Sequence, residues 1–220
     1  ASADLTNHPL LRVVCSFNKP ILLSTGASTF EEIREAVDLI RAEGVPLVLL
    51  HCSLGYPTPV HQANLARIRA LSEAFPDVII GYSDHTRPQD SMLVCPTAVA
   101  VGARVIEKHF TVNKLTPGDD HDHAVDPAGL ARLVRDCHDV FAMLAPFEEV
   151  TDVEGPARQY ARRSVVAARY LSAGQRIGME DLAFKRPGIG VPPSRVGEII
   201  GKRLKRDVAP DELVRFEDLE

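Results

Sequence analysis

Tryptophan is absent from this 220-residue chain, and aromatic residues make up only 5% of it. With a net charge of -5, the chain lacks both things that nucleic-acid binding draws on: a basic surface and rings to stack on bases. The same charge gives no attraction to an anionic membrane surface. No apolar run approaches the roughly 20 residues that a spanning helix needs, and no secretory leader is legible, so a cytoplasmic protein is expected. Cysteine is scarce. Cys15, Cys52, Cys95 and Cys137 lie far apart and form no CxxC pair, which argues against a zinc ribbon or a dithiol redox motif and for reduced thiols.

What the chain does contain is a repeated pattern. Four apolar, β-type runs each end in a polar cluster: ILLS in Thr25-Gly26, VPLVLL in His51-Cys52-Ser53, VIIGY in Ser83-Asp84-His85, and ARVI in Glu107-Lys108-His109. The runs begin near Ile21, Leu47, Val78 and Arg104, roughly 30 residues apart, with helical patterns between them. Thr29 reads as an N-cap ahead of Glu31 and Glu32; Ile33, Val37 and Ile40 share a face, and Gly44 stops the helix. Asn64–Phe75 repeats that periodicity, and further helices are expected over Asp90–Val101 and Pro127–Leu144. Such alternation predicts βα units in a parallel sheet, whose carboxyl strand ends gather catalytic groups on one edge. A complete eight-unit barrel needs about 250 residues. Residues 1–145 supply four units, which suits either a small open sheet or the second half of a barrel.

Residues 146–159 are acidic, hold two prolines and lack periodicity, so they read as a linker. From 160 to 220 the texture changes to short β-type runs (Ser164–Ala168, Leu182–Lys185) between turn signals, the mark of a small β-rich module.

Alternation along a strand puts Ser83 and His85 on one face, and likewise Glu107 and His109. In barrel register the two imidazoles converge with Glu107 beside them, and such a pair suits a divalent ion such as Mn²⁺ or Zn²⁺. The plainer reading of each His is a hydrogen-bonded structural or acid–base residue. Thr25-Gly26 and Ser83 offer hydroxyls and amides to a phosphate or carboxylate, with Lys108 as a source of positive charge although alternation turns it away; helix capping is the commoner use of such Ser and Thr. Cys52 reads as a small buried residue before a nucleophile. The loop Gly118-Asp119-Asp120-His121-Asp122-His123 is rich in ligand atoms but fits no EF-hand or zinc spacing, and is read as solvated with one member able to reach a substrate. Tyr56 either lines a pocket or packs in its proline-stiffened turn. Arg186, at a Gly/Pro bend, has the shape to recognise an oxyanion or amide carbonyl.

KPILLSTG, LLHCSLGYPTP, IIGYSDHT, VIEKHFT, PGDDHDH, ARRSVVA and LAFKRPGIG, in this order, resemble the sialic acid synthase family along essentially the whole chain. The resemblance implies a TIM-type (β/α)8 barrel followed by a small antifreeze-like (SAF) domain, here as the second half of the barrel over 1–145, a linker and SAF residues 160–220, with the first half missing. It implies condensation of phosphoenolpyruvate with an N-acylated mannosamine-type amino sugar to a nine-carbon 2-keto acid, aided by a divalent metal: Mn²⁺, with Mg²⁺ or Co²⁺ as the other candidates. It also implies a homodimer whose SAF domain caps the partner's barrel. On this resemblance His85 and His109 are metal ligands. Ser2, Thr25 and Ser83 contact phosphoenolpyruvate, and Asp4 stands where a Glu is usual. Glu107, Tyr56 and Asp120 surround the sugar and the attacking water, with His85 also counted as catalytic. Arg186 recognises the N-acyl group. Leu54 replaces a polar residue of some members, which implies a less polar or deoxygenated acceptor; a synthase of the same chemistry acting on a diacetamido-trideoxy sugar is one alternative. A non-catalytic fragment keeping its SAF module for binding is the alternative from another functional class.

Overall fold

Each of the four apolar runs is a strand: β1 (Ile21–Ser24), β2 (Leu47–Cys52), β3 (Ile79–Asp84) and β4 (Ile106–Lys108). They form one parallel sheet in sequence order. The computed structural model describes residues 1–118 and 120–220, which divide into Ala1–Ala145 and Pro146–Glu220. In the first of these units the helices are α1 (His8–Cys15), α2 (Phe30–Ala42), α3 (Ala66–Ala74), α4 (Val94–Ala100), α5 (Asp120–His123) and α6 (Pro127–Met143).

The expected start of α2 is seen in detail. Glu32 N donates to Thr29 Oγ1 at 3.2 Å, and the Glu32 carboxylate accepts from Thr29 N at 2.7 Å, closing a capping box. Gly44, at φ 71°, ends the helix. Ile33, Val37 and Ile40 are fully buried, each contributing about 1.5–3 kcal/mol of apolar burial. One expectation is corrected: the third helix does not begin at Asp90. It spans Val94–Ala100; a turn over 88–90 and irregular chain over 91–93 precede it, and Leu93 offers no side-chain cap to start the helix earlier.

The two faces of the sheet differ. Ile21, Leu23, Leu49, Ile80 and Tyr82 point into the helix layer and form the core. On the other face Leu22 and Ile79 are each 53% exposed. Gly81 marks where that face is crowded: a Cβ there would lie 2.5 Å from both Leu50 Cδ2 and Val105 O, so only glycine fits. Register pairs Cys52 with Ser83 and Ser83 with Glu107, which aligns the strand ends that carry chemistry.

In the second unit, β5 (Ser164–Ala167) and β6 (Leu182–Lys185) pair antiparallel. The segment read as a linker is not wholly irregular. Thr151 and Glu154 form a capping box, after which α7 (Gly155–Tyr160) follows, and Gln159 O accepts from Gly188 N at 2.8 Å. A repeat that the sequence reading missed organises the rest. Gly178 N donates to Asp181 Oδ2 and Arg215 N to Asp218 Oδ2, both at 2.9 Å. Ala168 N donates to Asp181 O and Lys205 N to Asp218 O, both at 2.8 Å. Arg169 pairs with Asp181 as Arg206 does with Asp218. Leu171 and Val208 exchange backbone bonds where the halves meet. Val165, Leu171, Ile177, Leu182, Ile199, Leu204, Val208, Val214 and Leu219 fill the shared core.

Candidate functional site

The carboxyl rim of β3 and β4 carries the densest chemistry in the first unit. Because Ser83 and Glu107 are register partners on one face, Ser83 Oγ donates to Glu107 Oε1 at 3.2 Å. Two residues further along each chain, the His85 and His109 rings meet with centroids 5.1 Å apart and planes at 79°. His85 Nδ1 lies 2.9 Å from Ser53 O. A carbonyl only accepts, so Nδ1 carries the proton and Nε2 keeps a lone pair for a ligand. Cys52 Sγ is 3.8 Å from the same Nδ1, which is already engaged, and the thiol is buried.

Tyr56 lies over this pair: its ring centroid is 4.1 Å from that of His85 and 6.0 Å from that of His109. Thr58 fixes the turn, because its N–H donates to His85 O at 2.9 Å and its hydroxyl lies 2.8 Å from Gly55 O. Burial, with Cys52, Asp120 and Glu107 nearby, raises the Tyr56 pKa, so its phenol stays protonated.

The loop read as solvated contributes more than the sequence reading allowed. Val125 N donates to His109 O at 2.8 Å and Thr111 N to Val125 O at 2.9 Å, which returns the chain alongside β4. That return brings His123 to 4.5 Å from His109, centroid to centroid. His123 is 0% exposed, and among the described residues neither of its ring nitrogens has a hydrogen-bond partner. Burial and the neighbouring His109 lower its pKa, against the pull of Asp120. Asp120 lies between the two rings, its carboxylate oxygens 3.9 Å from His109 Nδ1 and from His123 Nε2. His121 turns instead to Thr111 Oγ1, 2.8 Å away, and Asp122 pairs with Arg87 at 2.6 Å. Asp119 is outside the described residues. The signal for His123 was present in the sequence as a carboxylate and an imidazole three residues apart, which share one face of a single helical turn.

Ser2 joins the same rim through β1: its Oγ accepts from Gly26 N at 2.9 Å. A Cβ on Gly26 would lie 2.7 Å from Leu54 Cγ and 2.9 Å from Ser2 Oγ, so these three residues form one tight patch. Asp4 closes the short 3₁₀ turn Ser2–Asp4 and is half-buried. The Thr25 hydroxyl is fully buried and lies 3.1 Å from Leu50 O, so it is held inside the unit, away from the open rim. Lys108 is corrected as a source of charge for an anion. Its Nζ lies 2.9 Å from Asp84 Oδ2, with only 3% of one side chain and 4% of the other exposed. Arg186 is exposed in the second unit, directly after β6.

The donor set on the rim fits a divalent cation. With His85 Nδ1 engaged by Ser53 O, its Nε2 is left for a ligand beside His109, and among the described residues the buried His123 nitrogens lack partners, each such group costing about 1–3 kcal/mol when left unpaired.

The NeuB family matches residues 1–149 and the SAF domain residues 162–220. The chain belongs to the NeuB family. Among curated relatives, this NeuB-family chain is 37% identical to N,N'-diacetyllegionaminic acid synthase of Legionella pneumophila, covering 100% of the chain and 62% of the relative. Among solved structures, a Chromobacterium violaceum protein assigned to spore coat polysaccharide biosynthesis is 30% identical with a TM-score of 0.77, covering 100% of this chain and 66% of that one. N-acetylneuraminic acid synthetase of Leptospira borgpetersenii is 33% identical with a TM-score of 0.65, covering 70% and 53%. The chain thus spans less than two thirds of these relatives' length, and its first unit is a curled half-barrel of the type that precedes their SAF domain. No helix among the described residues is long and apolar enough to cross a membrane.

Proposed function

We propose that the complete protein condenses phosphoenolpyruvate with an N-acylated mannosamine-type sugar to give a nine-carbon 2-keto sugar acid and phosphate. The observation that carries this reading is the meeting of His85, His109, Tyr56 and the Ser83–Glu107 pair on one rim of a NeuB-family half-barrel. C3 of phosphoenolpyruvate bonds to the aldehyde carbon of the open-chain sugar, whose oxygen takes up a proton. Water adds to C2 and gives up a proton, and the tetrahedral centre then expels phosphate.

The chain's own residues divide this work. Ser2 Oγ accepts from Gly26, which leaves its O–H free to donate to the carboxylate or phosphate of phosphoenolpyruvate. Ser83 holds the Glu107 carboxylate in place, and Glu107 takes the proton from water. Tyr56 screens the imidazoles on one side, and Asp120 accepts from a sugar hydroxyl. His85 and His109 would hold a divalent cation, Mn²⁺, Mg²⁺ or Co²⁺. What such an ion supplies when bound is Lewis-acid polarisation of a carbonyl oxygen. Asp4 belongs to the phosphoenolpyruvate end, whereas Thr25, its hydroxyl buried against Leu50 O, supports that end from inside the unit without touching substrate. Arg186, on a SAF domain that caps the partner's barrel in a homodimer, recognises the N-acyl group.

Leu54 favours a second acceptor. It is exposed and sits against Gly26, an apolar patch suited to a deoxygenated diacetamido-trideoxy sugar, and a legionaminic acid synthase is among the relatives. The test is phosphate release from phosphoenolpyruvate by this chain supplied in trans with the part of a relative that it does not cover. Release is expected only when an acceptor sugar is present, with the two sugar classes compared side by side. Glu107→Gln is expected to slow turnover about 10²–10⁴-fold. Absence of sugar-dependent phosphate release with both classes would overturn the reading.

A further inference from the structure

The fully buried His123, whose ring nitrogens have no hydrogen-bond partner among the described residues, lies 4.5 Å from His109 and 6.2 Å from His85 between ring centroids. From this juxtaposition we infer that His123 is a third imidazole ligand of the cation site, with Asp120 as its carboxylate, and that the site selects nitrogen-preferring ions of the Co²⁺ and Zn²⁺ class over Mg²⁺. The inference rests on the proposed cation reading and deepens it.

Three observations carry it. One potential donor atom each from His109, Asp120 and His123 lie within 4.8 Å of one another, which a single ion can bridge. The return of the chain at Val125 locks His123 there, through backbone bonds of 2.8 and 2.9 Å on either side of Phe110. Finally, His121 is engaged with Thr111 and Asp122 with Arg87, while Asp120 and His123 face His109.

The chemical consequence follows from donor type. Mg²⁺ demands oxygen ligands and keeps its waters, whereas imidazole suits Co²⁺ and Zn²⁺, and affinity for nitrogen sites rises from Mn²⁺ towards Co²⁺. Each added imidazole widens that gap.

All the donors belong to Ala1–Ala145, so the 220-residue chain itself can be tested with metal ions alone. The experiment is a Co²⁺ titration followed by visible absorption, repeated in competition with Mg²⁺, on the unmodified chain and on His123→Phe and His85→Ala. The unmodified chain is expected to prefer Co²⁺ to Mg²⁺ by at least about 100-fold. His123→Phe should weaken Co²⁺ by about 10-fold or more and change the absorption band, while Mg²⁺ binding stays within about twofold. A Co²⁺ titration and spectrum of His123→Phe that superimpose on the unmodified chain, while His85→Ala loses binding, overturn the third ligand alone. If the unmodified chain takes up no ion, or His85→Ala binds as before, the cation reading falls and this inference with it. Circular dichroism monitors the fold of each variant, and His123→Asn replaces His123→Phe if the larger ring disturbs it.

Discussion

Asp84 shows how a single side chain can organise a rim it does not face. It accepts from Thr86 N and Tyr82 Oη, each at 3.0 Å, and pairs with Lys108 across the β3–β4 junction. Burial opposes its charge, yet Lys108 and Thr86 outweigh that and hold its pKa below the ordinary carboxylate range. Asp84 and Lys108 are the chain neighbours of His85 and His109, so the pair ties together the two positions that carry the imidazoles. Removing one partner of a buried pair leaves an uncompensated charge. Asp84→Asn is therefore expected to destabilise the chain by about 3–5 kcal/mol in urea unfolding, and the double variant Asp84→Leu/Lys108→Met to recover most of that loss.

At the scale of elements, the second unit repeats one device twice: an aspartate at the end of a short 3₁₀ turn accepts from the N–H of the residue just before the turn and binds an arginine. Asp181 is held below its usual pKa first by the Gly178 N–H and also by Arg169, against its burial. For Asp218 burial is the largest influence and likewise raises the value, but Arg206 and the Arg215 N–H together outweigh it. Both folded values lie below those of the unfolded chain. Their contribution is thus complete above the ordinary carboxylate pKa of about 3.9 and is lost as pH falls through the depressed values. Thermal unfolding of the second unit followed by circular dichroism should be nearly level from about pH 7 to 5 and decline below about pH 4, with a shallower decline in Asp181→Asn.

For the molecule as a whole, the sheet of the first unit has two open edges. Among the described residues β1 and β4 each pair with one neighbouring strand, and the inward-facing Leu22 and Ile79 are half exposed. Unpaired strand edges beside apolar surface promote association. The chain alone is expected to self-associate in light scattering, and to do so less when supplied with the part of a relative that it does not cover. A monodisperse monomer at all concentrations would contradict this.

The sequence by itself determined the βα alternation, the start of α2 and the alignment of His85 with His109, because these depend on local periodicity, on one capping box and on the regular spacing of parallel strands. Thr25 and Ser83 were equally legible as polar strand-end residues, but only the tertiary structure decided that one hydroxyl is buried against Leu50 and the other serves Glu107. It also decided that Lys108 is committed to Asp84, that His123 returns to His109, and that Asp181 and Asp218 are counterparts in one repeat. These are contacts between residues whose separation along the chain carries no periodic signal. They exist because backbone pairing at Val125 and packing around Leu171 and Val208 bring distant segments together, and that energy resides in the assembled fold and in no single segment.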